Sequence, residues 1–220
     1  MTNKPTQRMM PEKNTPYHYQ TYGAEASALE VERFLRPLLE RSFRGPWDPA
    51  DPPTPVCIWG RHGIGKTQLV RELARELGCR FAYIAPAQFE EMGDLTGLPA
   101  AADSEDGARV SRFLPPEWAP RAEGPGILLI DDFNRADDRI LRGIMQLLQN
   151  YELVSWRLPA RWHIVLTANP DGGDYSVTPL DDAMLTRMLH ITMTFDVKSW
   201  ARWAERAGVD PRGIQFVLAY

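Results

Sequence analysis

Cysteine is scarce in this chain: Cys57 and Cys79 are the two present among 220 residues. One lies in a predicted strand and the other beside a helix end. They offer no disulfide framework and fit a reducing cytosol, so a cytoplasmic protein is expected. Long apolar runs are missing too. No stretch approaches the roughly 18 residues needed to cross a bilayer, so nothing is expected to span a membrane. The opening MTNKPTQRMMPEKNTPYHYQ has no apolar centre and reads as a polar tail rather than a signal peptide. There is no excess of basic charge: 25 Lys and Arg against 29 Asp and Glu give a net charge of −4. That balance argues against a nucleic-acid binder relying on bulk positive charge and leaves a local basic patch open. The four histidines, His18, His62, His163 and His190, are scattered, with no Cys pair or second His at ligand spacing, which excludes a zinc site of the usual kind. No Ser or Cys occupies a nucleophile motif with a matched His. Internal repeats and low-complexity tracts are absent.

What is present is the composition of a globular protein, 44% hydrophobic and 25% charged. The length allows one domain, or one domain and a fragment of a second. The 19 prolines cluster in 46–55, in 115–125 and near 159, where they mark loops. Residues 1–23 read as a flexible tail. From Ala24 to Phe43 apolar residues recur at helical spacing, predicting an amphipathic helix. Two periodicities then alternate. Strands are predicted at Val56–Trp59, Phe81–Ile84, Ile127–Ile130, Trp162–Thr167 and Leu189–Phe195, and helices at Lys66–Leu77 and Ala136–Asn150. Strand–helix alternation of this kind means a layered α/β domain, a three-layer sandwich with a parallel central sheet. Two segments interrupt it. Residues 86–125 form a connection long enough to be functional or to carry structure of its own. YELVSWRLPAR alternates and turns, and with the following strand predicts a hairpin over about 151–168. Residues 197–220 are helical in character and read as the first part of a second, helical domain. The seven tryptophans are expected in the core or at domain contacts rather than as stacking platforms for bases.

The chemistry concentrates in three places. Gly60, Arg61, His62, Gly63, Ile64, Gly65, Lys66 and Thr67, followed by Gln68, fit the pattern G-x-x-x-x-G-K-S/T between a strand and a helix. Such a loop curls its N–H groups around phosphates at a helix N-terminus. Lys66 supplies a cation for the β- and γ-phosphates of ATP or ADP, and the Thr67 hydroxyl can ligate Mg²⁺. ILLIDD is the expected second half, an apolar strand ending in acids at the sheet's carboxyl edge. Asp131 suits Mg²⁺ and Asp132 is placed to orient or deprotonate an attacking water; alternatively the acid pair caps the helix that follows. Asn169 ends the next strand, where its amide can reach the γ-phosphate or the water, or merely form a turn before Pro170. Arg187 ends a short helix, LDDAMLTR, and by itself could be a surface cation at a helix C-terminus.

The order of these parts resembles the AAA+ ATPases, and more narrowly the MoxR-like group of the helix-2-insert branch. The resemblance runs from about Ala24 to Phe195: GRHGIGKT as Walker A, ILLIDD as Walker B continuing into DDFNRA, LTANP as the sensor-1 strand. GDLTGLP and FLPPEWAP resemble the insert, YELVSWRLP the hairpin before sensor 1, and LDDAMLTRMLHI the box that ends in the arginine finger. It implies a nucleotide-binding core over 24–196 and the beginning of a helical lid at 197–220. It also implies Asn169 as sensor 1, Arg187 as a finger acting on a neighbouring subunit's nucleotide, and a homo-oligomeric ring, commonly a hexamer. A protein partner is implied as well, often one with a von Willebrand A domain, to be remodelled or activated at the expense of ATP. One departure is Asp132, where the family usually has Glu. The other is the missing sensor-2 arginine: Arg212 follows Arg187 too closely to be assigned. Two further readings compete with the remodelling ATPase. One is a nucleotide-gated switch or scaffold with slow hydrolysis, favoured by Asp132. The other is a DNA-associated motor, for which Arg135, Arg139, Arg142, Arg157 and Arg161 could touch phosphates or, alternatively, serve as solvated or intersubunit cations.

Overall fold

The computed structural model describes residues 20, 22–172 and 176–219, so most of the expected tail lies outside the described residues. The chain begins with β1 (Ala24–Ala26), α1 (Ala28–Arg44), β2 (Val56–Trp59), α2 (Lys66–Glu76) and β3 (Arg80–Ile84). A short 3-10 turn then leads to α3 (Met92–Thr96), β4 (Leu98–Asp103), β5 (Arg109–Leu114) and β6 (Gly126–Ile130). After a second 3-10 turn (Phe133–Arg135) come α4 (Asp138–Asn150), β7 (Glu152–Leu153), β8 (Trp156–Arg157) and β9 (Trp162–Ala168). The last elements are α5 (Asp182–Leu185), β10 (Leu189–Met193), α6 (Val197–Arg206) and α7 (Pro211–Ala219).

Six strands form one parallel sheet in the order β1-β10-β2-β9-β6-β3. Side chains alternate between the two faces of a strand, and here both faces are apolar. Val56, Ile58, Ile127, Leu129 and Val165 join a core with Val31, Leu35 and Leu39 of α1 and Val70 and Leu73 of α2. Cys57, Trp59, Leu128, Ile130, Ile164 and Leu166 turn the other way and pack on Ile140, Ile144, Leu147 and Leu148 of α4. This is the three-layer α/β sandwich that the periodicity predicts. The apolar runs of β2 and β6 and the buried strand β9 are central because each is covered on both sides.

Two sequence expectations change and a third, left open, is filled in. The predicted helix from Ala24 begins at Ala28, and residues 24–26 pair with β10 as an edge strand instead. Glu30 fixes this start, its carboxylate accepting hydrogen bonds from the Ser27 N–H and hydroxyl, both 2.8 Å. Next, the hairpin is smaller than 151–168: β7 pairs with β8, antiparallel, and the strand from Trp162 leaves it to enter the sheet between β2 and β6. A strand buried along its whole length gains more from cover on both sides of the sheet than from an exposed ribbon. Finally, the long connection carries structure, α3 and the β4–β5 hairpin, paired from Leu98↔Leu114 to Asp103↔Arg109. The end of the expected tail is also held: Tyr22 stacks on Trp59 with centroids 4.3 Å apart and bonds Thr192 through both backbone groups. At the other end, α6 and α7 bury Ala201, Ala204 and Ile214 against one another.

Candidate functional site

Because β2, β6 and β9 are parallel neighbours or next neighbours, their carboxyl ends open on one edge of the sheet. Each delivers a polar segment there. After β2 the chain turns sharply at Gly60, whose N–H donates to Ala168 O at 3.2 Å. A Cβ on Gly60 would lie 2.5 Å from Met193 O, so β10 approaches too closely for any other residue. The loop ends at Gly65, in the left-handed region with φ 95°, from which α2 starts. No atom lies within 4 Å of where a Cβ on Gly63 or Gly65 would stand, so the mouth of the loop is open.

Lys66 turns back into this loop and is buried, 6% exposed. Its ammonium donates to Gly60 O at 2.7 Å, Arg61 O at 3.1 Å and Asn169 Oδ1 at 3.2 Å. Burial pushes the ammonium below its ordinary pKa, while Asp132 and Asp131 act in the opposite direction. The Thr67 hydroxyl donates to Asp131 Oδ1 at 2.7 Å, and Thr167 donates to the same oxygen at 2.6 Å. Tyr83, from the end of β3, donates to Asp131 Oδ2 at 3.1 Å, and the Arg71 guanidinium lies 4.9 Å from its ring centroid. Burial, with Asp131 next, raises the Tyr83 phenol. Asp131 is thus oriented by three hydroxyls before anything binds.

Asp132 differs. Its backbone is left-handed, φ 47°, and its N–H donates to Thr167 Oγ1 at 2.8 Å. Its carboxylate makes no helix-capping bond and lies 3.9 Å from Arg135. The capping alternative therefore falls: α4 is capped by Asp137, which accepts from Arg139 N and Ile140 N. Asn169 is buried, and its backbone is gripped by Asn134, a residue that sequence reasoning missed as a site member. Asn134 Nδ2 donates to Asn169 O at 2.7 Å and Asn169 N donates to Asn134 Oδ1 at 3.1 Å. The available signal was a polar residue just past an apolar strand, in DDFNRA, ending up 2% exposed.

The predicted residues divide accordingly. Gly60, Lys66, Thr67, Asp131 and Asn169 converge, with Asp132 on the rim. Arg61, His62, Gly63 and Gly65 form the exposed outer arc of the loop, with Ile64 half-buried. Gln68 faces outward and donates to Glu72 Oε1 at 2.9 Å, the atom that also accepts from Trp203 Nε1 of α6 at 2.8 Å. Beside it a cavity of about 330 Å³ opens between α1, α2 and α6, lined by Leu29, Ile64, Leu69, Met193 and Trp200 among others. Arg187 is not drawn into the cluster. It follows α5 and bonds Gln149 Oε1 at 3.3 Å and the Ala183 carbonyl. The arginines considered for nucleic acid pair with carboxylates: Arg139 with Asp137, Arg142 with Asp138, Arg157 with Glu152 and Arg161 with Glu123. That face is of mixed sign rather than a cationic track. No helix among the described residues is long and apolar enough to cross a membrane.

Known proteins are similar to this chain in sequence or in fold. A protein of Rhodococcus erythropolis described as an ATP-dependent protease ATP-binding subunit-like protein is 34% identical over 116 residues, 50% of this chain and 32% of its own length. Among solved structures, Hsp104 in a closed state with ATPγS and FITC-casein superposes with a TM-score of 0.58 at 15% identity, over 82% of this chain and 36% of that one. A variant of Thermotoga maritima RuvB superposes with a TM-score of 0.51 at 18% identity, over 81% of this chain and 50% of that one. At such identities the structural likeness speaks for the fold alone. The chain spans about a third of the length of the curated relative and no more than half of these two structures. The match that covers most of the site is to the AAA domain (dynein-related subfamily), over residues 55–188, from the strand before the glycine loop to the residue after Arg187. With loop, acids and Asn169 all inside that span, the chain belongs to the AAA domain family, dynein-related subfamily, within the AAA+ ATPases.

Proposed function

We propose that this protein binds Mg·ATP at the Gly60–Thr67 loop and hydrolyses it, as a ring-forming ATPase of the MoxR-like type that remodels or activates a protein partner. The observation that carries the reading is the convergence of Lys66, Thr67, Asp131 and Asn169 at one sheet edge. The residues fit the group: an open backbone cradle at Gly63 and Gly65, a buried ammonium beside it, and a hydroxyl–carboxylate pair with the hard oxygen donors Mg²⁺ prefers. When bound, the metal would neutralise charge on the β- and γ-phosphate oxygens. Lys66 would exchange its loop carbonyls for phosphate oxygen while keeping Asn169 within reach. Asp132 would orient the attacking water and take its proton at the carboxylate. Asn169 would hold that water or the γ-phosphate without adding charge. Arg187, on the rim and apart from its own subunit's cluster, would complete the site of a neighbour. Residues 197–220 would begin a lid over the cavity beside α2, a place suited to the adenine. A von Willebrand A domain protein is one class of partner in keeping with the MoxR-like reading.

The experiment is a direct nucleotide titration. Lys66→Ala should lose tight ATP binding and keep its fold, judged by circular dichroism. An affinity within about threefold of the parent, under 1 kcal/mol, would mean the phosphate site is elsewhere. A nucleotide-gated scaffold with slow turnover is the second reading, favoured by the short Asp132 side chain; steady-state hydrolysis measured beside nucleotide-dependent sizing separates it. The ion-paired arginines weigh against the DNA motor.

A further inference from the structure

Asn134 makes directional use of a buried side chain in the site, and its side-chain bonds go to Asn169 rather than to Lys66 or Asp131. Its carboxamide closes a two-bond ring on the backbone of Asn169, donating to the carbonyl and accepting from the N–H. The residue is 2% exposed and Asn169 1%, so water does not compete for these bonds. The two bonds use the two ends of the carboxamide, Nδ2 donating and Oδ1 accepting, and an ionised acid or an apolar side chain cannot supply both. The grip falls on the residue just after β9, where the ladder has stopped fixing the backbone. Asn169 Oδ1 then reaches Lys66 Nζ at 3.2 Å. The same short turn also holds the far end of the segment leading to α5. Thr178 N donates to Asn134 O at 2.7 Å, and the Thr178 hydroxyl donates to Ala136 O at 2.7 Å. One turn after β6 therefore anchors Asn169 and the approach to Arg187 together.

We propose that Asn134 is a positioning residue for hydrolysis: it sets the rotation of the Asn169 backbone so that the Asn169 carboxamide stands at the reacting phosphate. This inference rests on the nucleotide-site reading above. It separates two properties. Binding depends on the loop and Lys66, whereas the Asn134 side chain bonds Asn169. Turnover depends on how well Asn169 is aimed. Proximity effects of this kind are steep, since a displacement of about 1 Å can cost on the order of 100-fold in rate.

The test is a double-mutant cycle on the whole chain, using Asn134→Asp and Asn169→Ala, with Mg·ATP affinity and single-turnover hydrolysis both measured. Asn134→Asp keeps the acceptor for Asn169 N–H and loses the donor for Asn169 O. It should bind ATP within about threefold of the parent and hydrolyse it at least about tenfold more slowly. Asn169→Ala keeps the backbone that Asn134 grips and removes the carboxamide that is aimed. In that background Asn134→Asp should cost nothing further, because the residue acts through a group no longer there. A merely structural Asn134 would instead slow both backgrounds by the same factor, and that result overturns the inference, as does parent-like turnover in Asn134→Asp. Asn134→Ala, which removes both bonds, provides the comparison if the aspartate variant fails to fold. If the parent chain binds no ATP, the nucleotide-site reading itself fails, a different outcome from intact binding with additive effects.

Discussion

Asp132 stands one methylene short of the glutamate that the resemblance leads one to expect; its carboxylate lies 3.9 Å from Arg135 and acts electrostatically on the Lys66 ammonium. Asp132→Asn keeps the shape and cannot accept a proton, so Mg·ATP binding should persist while hydrolysis falls. Asp132→Glu extends the carboxylate by about one C–C bond and should raise turnover. A fall in the steady-state rate of the glutamate variant would show that this pocket is built around the shorter acid. A second residue-scale expectation concerns His163, buried in β9 with Ser42 Oγ 2.8 Å from Nδ1 and no partner at Nε2. Burial lowers its pKa from 6.5 to about 4. Between those values the unfolded chain binds the proton and the folded chain does not, so stability rises with pH across this window. The contribution is complete above about 6.5 and is lost as pH falls toward about 4, amounting to about 3 kcal/mol in all. His163→Asn retains a polar atom for Ser42 and cannot titrate. Its urea-unfolding stability should fall less than the parent's between pH 7.5 and 5, and parallel losses would remove His163 from the account.

The insert and the small hairpin before β9 are separate in sequence and joined in space by one indole. Trp156 Nε1 donates to Thr96 O at 2.9 Å, and its ring meets Trp118 edge-on at 5.4 Å. Phe113 N–H reaches across to Ser155 Oγ at 2.6 Å. Trp156→Phe should keep the ring contact and leave the Thr96 carbonyl unpaired, a loss of about 1 kcal/mol. Hydrogen exchange should quicken in 92–118 and stay unchanged in β2, β6 and β9, whereas uniform quickening would mean the two hairpins do not form a separate unit. Elements of this kind mark how far the sequence could be read. The strands β2, β6 and β9 were legible because both faces are apolar, and α2 and α4 because their apolar residues keep helical spacing. The glycine loop and the acids were legible because their chemistry lies in contiguous residues. β1 was not, since AEA carries no period of its own and becomes a strand by pairing with β10. The hairpin was overextended because the alternation of YELVSWRLPAR does not show where the ribbon ends and the sheet strand begins. Asn134 was invisible for a related reason: its role lies in its pairing with a backbone 35 residues away.

At the scale of the whole molecule the question is whether one chain suffices for catalysis. Arg187 is held on Gln149 and Ala183, outside the cluster it is proposed to serve in a neighbour. Arg187→Ala should leave ATP affinity nearly intact and abolish assembly-stimulated hydrolysis, fingers supplied in trans being worth about 10³–10⁵ in rate. Mixing it with Lys66→Ala should restore activity, because a Lys66→Ala subunit can present its intact arginine to the nucleotide of its neighbour. A mixture that stays inactive, beside a monomer that hydrolyses ATP as fast as the assembly, would return Arg187 to the role of a surface cation. The strand order has a consequence of another kind, for the growing chain. Among the described residues β2 pairs with β9 and β10 alone, so the loop that follows it has no sheet to stand on until residues 162–168 have been made. β3 and β6 can pair earlier, but Asp131 then faces an empty slot where β9 belongs. During synthesis the glycine loop thus leaves the ribosome long before it can grip a phosphate, and ATP can act as a folding ligand only for chains already extended past Asn169.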